Sequence, residues 1–126
     1  MNTLPALFVS HGAPLFALDA GSTGPALRAW AQAHDQPSAI VVMSPHWMAR
    51  PPTGMSTSAP QTWHDFGGFP AELYQLQYPA PGNPALAQEV VQLLQAAGIE
   101  AGLDQRRPYD HGAWVPLMHL YPEADL

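Results

Sequence analysis

Two short apolar runs, each ending at a histidine, constrain the fold of this chain more than any other feature. Residues 4–10 (LPALFVS) stop at His11-Gly12, and residues 38–44 (SAIVVMS) stop at Pro45-His46-Trp47. Neither run alternates apolar with polar residues. Continuous apolar runs of this length suit parallel strands covered on both faces. Between them, residues 24–34 (GPALRAWAQAH) place Leu27, Trp30 and Ala31 at i, i+3, i+4 behind Pro25, which marks a helix start and one buried face. Strand, helix, strand makes a βαβ unit with a right-handed crossover. The expected fold class is α/β, a mostly parallel sheet with flanking helices.

The rest of the chain is less regular. Residues 83–97 predict a second helix, capped by Asn83, with Pro84 in its first turn and Leu86, Val90, Leu93 and Leu94 as its buried stripe. Gly98 closes it. Strands are expected near 54–58 and 99–103, a helical turn near 71–75, and a last short helix over 112–120 that contains Pro116. The 15 prolines of the 126 residues fall mostly between these segments, so long irregular connections are expected, above all over 50–82. The tail Tyr121-Pro122-Glu123-Ala124-Asp125-Leu126 reads as a connection to a strand that does not follow. That would leave an open sheet edge, which complete domains avoid, so the sequence reads as cut short.

Composition removes several function classes. The chain has no lysine, its cations are Arg28, Arg50, Arg106 and Arg107, and its formal charge is -6. Nucleic-acid binding depends on clustered Lys and Arg, so it is set aside. Without cysteine there is neither a disulfide framework nor a thiolate metal site. Any metal must be held by imidazole and carboxylate. No apolar run approaches the roughly 18 residues needed to span a bilayer, and the N-terminus has no signal-peptide pattern. The expected setting is cytoplasmic, with no membrane contact.

His11 and His46 occupy equivalent places, each directly after a predicted strand. Ligands collect at the carboxyl ends of the strands in open α/β sheets, so two imidazoles there can converge on one metal. Imidazole suits Fe, Zn, Cu and Ni. The competing reading is that each histidine closes a strand end by hydrogen bonding. Trp47 can shield the metal or pack on an aromatic substrate. In Asp110-His111-Gly112 the carboxylate can fix the imidazole tautomer for acid/base work, or Asp110 can simply cap a helix. Trp63-His64-Asp65-Phe66-Gly67-Gly68-Phe69-Pro70 joins aromatics to a Gly-Gly pair, either as a surface for a planar ligand or as a loop packed on the sheet. His34 belongs to a helix end and His119 to a helix face, and neither is assigned a function.

Six motifs follow one another in order: Ser10-His11-Gly12-Ala13-Pro14, Ser44-Pro45-His46-Trp47, His64 to Pro70, Tyr78-Pro79-Ala80-Pro81-Gly82, Asp110-His111-Gly112-Ala113-Trp114 and Tyr121 to Asp125. Together they resemble the class III extradiol ring-cleavage dioxygenases, in the 4,5-DOPA extradiol dioxygenase branch of the LigB superfamily. The resemblance covers essentially the whole chain. Members of that branch are about twice as long, so it implies that residues 1–126 are the N-terminal part of a single catalytic domain whose C-terminal half is absent. It implies that His11 and His46 are metal ligands, that the His111 side chain acts in the active site, and that His64 contacts substrate. The remaining ligand and the main acid/base histidine would lie outside this chain. Pro45 departs from the alanine common before the second ligand; it restricts Ser44 to extended geometry, which suits a strand end.

The implied chemistry is iron-dependent opening of a catechol-type, DOPA-like ring with O2 to give a semialdehyde. Fe(II) is the expected cofactor, and Zn(II) fits the same ligands without redox chemistry. Two other readings use the same paired imidazoles: a zinc hydrolase, and a non-catalytic metal- or protein-binding relative. For this chain alone, weak metal retention and self-association are expected.

Overall fold

The computed structural model describes residues 3–126. Five regular elements carry the fold: helix α1 (Thr23–Gln32), strand β1 (Thr53–Met55), helix α2 (Pro84–Ala96), strand β2 (Gly102–Asp104) and helix α3 (His111–Leu120). Short 3-10 turns at Pro14–Ala17 and Ala71–Gln75 complete them. The class is α/β. β1 and β2 pair in parallel, Thr53 opposite Gly102 and Met55 opposite Asp104. Their connection contains α2, so the chain does contain a strand–helix–strand unit, built from its middle rather than its start. A single parallel bridge between Thr62 and Tyr109 continues the same alignment toward α3.

α2 forms where Asn83 and Pro84 start it. The Asn83 carboxamide oxygen accepts from the Leu86 N–H, satisfying one of the free donors of the first turn. Gly98 follows the C-terminus with φ 78, the left-handed geometry that glycine adopts without a Cβ penalty. The buried face differs from expectation at one position. Val91 is buried, while Leu93 is exposed. Ala87 lies against Gly54 of β1, so the face meeting the sheet runs through Ala87, Val91 and Leu94, at i, i+4, i+7.

The two opening runs are the main correction. Residues 4–10 and 38–44 are not strands. Among the described residues, 4–9 and 38–43 make no backbone–backbone hydrogen bond, and Phe8 and Met43 are 101% and 94% exposed. An apolar run signals a requirement for burial; a strand also requires a neighbour to pair with, and the short β1–β2 sheet does not extend to these segments. They nonetheless deliver His11 and His46 to one place.

The core lies elsewhere, around α3. Trp114 and Val115 pack with Leu73, Tyr78, Ala17 and Ala80. A second cluster joins Leu27 and Ala31 of α1 to Leu120 and Tyr121. Gly24, Leu27 and Ala31 are the buried face of α1, and Trp30 packs half-buried beside them. Pro116 sits inside α3, and the helix continues through it. α3 is thus the central post of the molecule, and its first residue is His111.

Candidate metal centre

Three imidazoles meet at the start of α3. The Nε2 atoms of His11 and His46 stand 3.1 Å apart, and nitrogen atoms of His11, His46 and His111 all lie within 4.8 Å of one another. The His11 ring meets His46 edge to face at 4.8 Å and His111 at 5.2 Å. His46 and His111 lie face to face at 4.2 Å with a 35° tilt. Two nitrogens bound to one ion at ~2.1 Å and 90–109° would be roughly 3.0–3.4 Å apart. The His11–His46 spacing falls in that interval. His11 Nδ1 is buried without a hydrogen-bond partner among the described residues, and the ring's other nitrogen meets that of His46. The residues therefore fit a divalent transition metal held by neutral imidazoles.

Electrostatics keep the donors in the right form. Burial holds the His11 imidazole below its ordinary pKa, and the neighbouring His111 and His46 push it the same way. A neutral ring is the form that binds metal. Burial acts in the opposite sense on Asp65, but two bonds from His111 outweigh it and keep the carboxyl below its usual range. Asp65 Oδ1 accepts both the backbone N–H of His111 and its Nδ1–H, each at 2.9 Å. That bond assigns the proton to Nδ1 and leaves the Nε2 lone pair of His111 free.

The neighbouring carboxylate acts differently. Asp110 stands at the N-cap position of α3, yet its side chain caps nothing. Its Oδ1 accepts from Ser44 Oγ at 2.5 Å, and its Oδ2 pairs with Arg107 at 3.0 Å. Of the two sequence readings for Asp110, the helix N-cap holds in position and through the backbone carbonyl, which accepts from the Ala113 and Trp114 N–H groups, while the tautomer of His111 is set by Asp65. Adjacent residues at a helix start point apart, so an acid distant in sequence reached the ring instead. Asp65, Ser44 and Arg107 are site-building residues that spacing alone did not single out.

Gly112 makes the close approach possible. A Cβ there would fall well inside contact distance of Ser44 Oγ, and 3.0 Å from both Asp110 Oδ1 and His46 Cδ2. Gly112→Ala should improve helix propensity by about 1 kcal/mol, but overpacking costs about 1–3 kcal/mol. The steric effect is expected to win, lowering the melting temperature by several degrees and weakening metal binding. A variant with unchanged melting temperature and metal affinity would show that the residue 44–46 segment does not press on α3 at this point.

A sequence profile for the catalytic LigB subunit of aromatic ring-opening dioxygenase matches residues 5–126. The chain belongs to this family. Among curated LigB-type relatives, the 4,5-DOPA dioxygenase extradiol of Beta vulgaris is 42% identical over 99% of this chain and 48% of its own length. The protein of the same name from Escherichia coli K12 is 44% identical over 98% of this chain and 45% of its own. A crystal structure of an uncharacterized protein from Escherichia coli K12 superposes with a TM-score of 0.62 at 35% identity, covering 82% of this chain and 37% of that one. The chain therefore spans about half the length of the curated relatives it matches.

Trp47 and the remaining histidines lie around this group or away from it. Trp47 lies under the Arg107 guanidinium, 4.8 Å from Cζ. His64 donates from Nε2 to the Leu76 carbonyl at 2.8 Å and packs beside Trp114. It is not part of the three-imidazole group, although Phe66 touches both His64 and His111. His34 bonds the Trp30 carbonyl through Nδ1 and His119 bonds the Phe16 carbonyl through Nε2, the structural roles expected of them. No helix among the described residues is long and apolar enough to cross a membrane.

Proposed function

We propose that this chain is the N-terminal part of the single catalytic domain of a non-haem iron-dependent extradiol dioxygenase acting on catechol-type, DOPA-like aromatics. The observation that supports this most is the 3.1 Å Nε2–Nε2 pair of His11 and His46 with an acid-anchored third imidazole beside it. His11 and His46 hold the metal in this reading. Bound Fe(II) supplies the path for electrons between a chelated catechol and O2, which neither imidazole nor carboxylate can provide.

The chain's own contribution is proton handling and orientation. His111 Nε2 accepts the proton of a catechol hydroxyl as the ring docks. Asp65, already anionic, stabilises the imidazolium that results, as a buried carboxylate does in a catalytic triad. Trp47 and the Phe66 ring offer apolar faces to the substrate, and His64 contributes a substrate contact through the nitrogen not bonded to Leu76. The exposed segments at 4–10 and 38–44 need cover, and self-association or a further polypeptide segment supplies it.

The donor set also favours a second reading. Three imidazoles with an open position also form a catalytic zinc site, in which the metal lowers the pKa of a bound water, so a zinc hydrolase is the alternative. A relative that only holds metal would have the same cluster. The deciding measurement is O2 consumption with a catechol after anaerobic Fe(II) loading. In a chain that carries both halves of the domain, catechol-dependent uptake above a free Fe(II) control, with a ring-opened chromophore, is expected; residues 1–126 alone, without the remaining ligand of this reading, should turn over little. Ester or amide hydrolysis by the zinc form with no O2 uptake would reject the dioxygenase in favour of the hydrolase.

A further inference from the structure

Arg107 lies over the rings of both Trp47 and Trp63, with Cζ 4.8 Å and 4.9 Å from the two ring centroids. Its Nη2 donates to Asp110 Oδ2 at 3.0 Å and to the His46 carbonyl at 3.4 Å. The other Asp110 oxygen accepts from Ser44 Oγ, and Ser44 Oγ accepts from the His46 N–H at 3.2 Å. The His46 peptide is therefore gripped at its N–H by Ser44 and at its C=O by Arg107, and Asp110 joins the two grips. Asp110 is 3% exposed and Arg107 17%.

His46 needs this external support. It belongs to a segment without strand pairing and is itself exposed, so its own backbone does little to fix its ring. A guanidinium is well suited to hold it, because its cation lies over two indole rings while one of its nitrogens donates two hydrogen bonds. A lysine can keep the ion pair with Asp110 but has no planar fork with which to bond the His46 carbonyl at the same time as it covers the rings.

We propose that Arg107, acting through Asp110 and Ser44, is a positioning residue that fixes the His46 imidazole in its place opposite His11. The proposal rests on the reading of His46 as a metal ligand for its functional meaning, but the positioning itself is measurable without metal.

The test compares wild type with Arg107→Lys and Arg107→Ala, all checked for folding by circular dichroism. In metal-free protein, the His46 imidazole resonances are expected to shift and broaden in both variants, while those of His34, bonded to Trp30, stay put. Zn(II) titration calorimetry is expected to show affinity falling about 10–100-fold, the usual cost of losing a residue that orients a ligand, with lysine restoring stability more than affinity. Should Arg107→Ala be unfolded, the lysine variant decides alone. Unmoved His46 resonances in a folded variant would overturn the proposal. A wild-type chain that takes up no Zn(II) would instead overturn the metal reading, and the resonances would still decide the positioning role.

Discussion

Trp114→Ala is expected to remove most of the folding stability of the chain. Trp114 is fully buried in the cluster around α3 and contacts no solvent. Its indole N–H also donates to the Trp63 carbonyl at 2.8 Å. Emptying such a site costs about 3–5 kcal/mol, because the lost contacts and the cavity add together. The usual total stability of a domain is about 5–15 kcal/mol, and this chain leaves large side chains such as Phe8, Met43 and Met48 in water, which places it at the low end. The loss therefore takes most of the stability. It also releases the start of α3, so the three imidazoles should separate as the core opens. Urea denaturation followed by near-ultraviolet circular dichroism measures this. A midpoint shift worth less than about 1 kcal/mol would mean that the packing around α3 is not what holds the molecule together.

That core also shows which parts of the structure were legible from the residues. α1 and α2 were, because Pro25, Asn83, Pro84 and Gly98 act on their own turns and need no distant partner. The turn at 71–75 and the approximate places of β1, β2 and α3 followed from the same local signals. The strands expected at 4–10 and 38–44 failed for the opposite reason. Strand formation is settled by a neighbouring strand, and no periodicity in the run itself reveals whether that neighbour is present. The site divides in the same way. His11, His46 and His111 were visible as ordered motifs, whereas the Asp65–His111, Ser44–Asp110 and Arg107–His46 bonds join residues far apart in the chain. For Asp110 the local rule placed the N-cap correctly but not the side chain, which at such a position normally accepts from the first turn. Here the pull of Arg107 and the hydroxyl of Ser44 outcompete the free N–H groups of the first turn.

His46→Ala is expected to abolish measurable metal binding. One of the two nitrogens 3.1 Å apart would be gone, and His11 and His111 alone do not define a face for an ion. Losing a residue that merely orients a ligand lowers affinity about 10–100-fold, so removing the ligand should cost more than about 100-fold in Zn(II) affinity by titration calorimetry. The substitution should alter stability little, because His46 is exposed and belongs to neither apolar cluster, its ring meeting the His11 and His111 imidazoles. That contrast with Trp114→Ala separates loss of the site from loss of the fold. Ligand protonation gives a second check. Metal binding needs neutral imidazole, and His11 stays neutral to lower pH than an ordinary histidine, so Zn(II) affinity should persist below the pH at which a free imidazole pair would release the ion. Equal Zn(II) affinity in wild type and His46→Ala would remove His46 from the site, and with it the proposed assignment of the 3.1 Å nitrogen pair as the metal-holding feature of the chain.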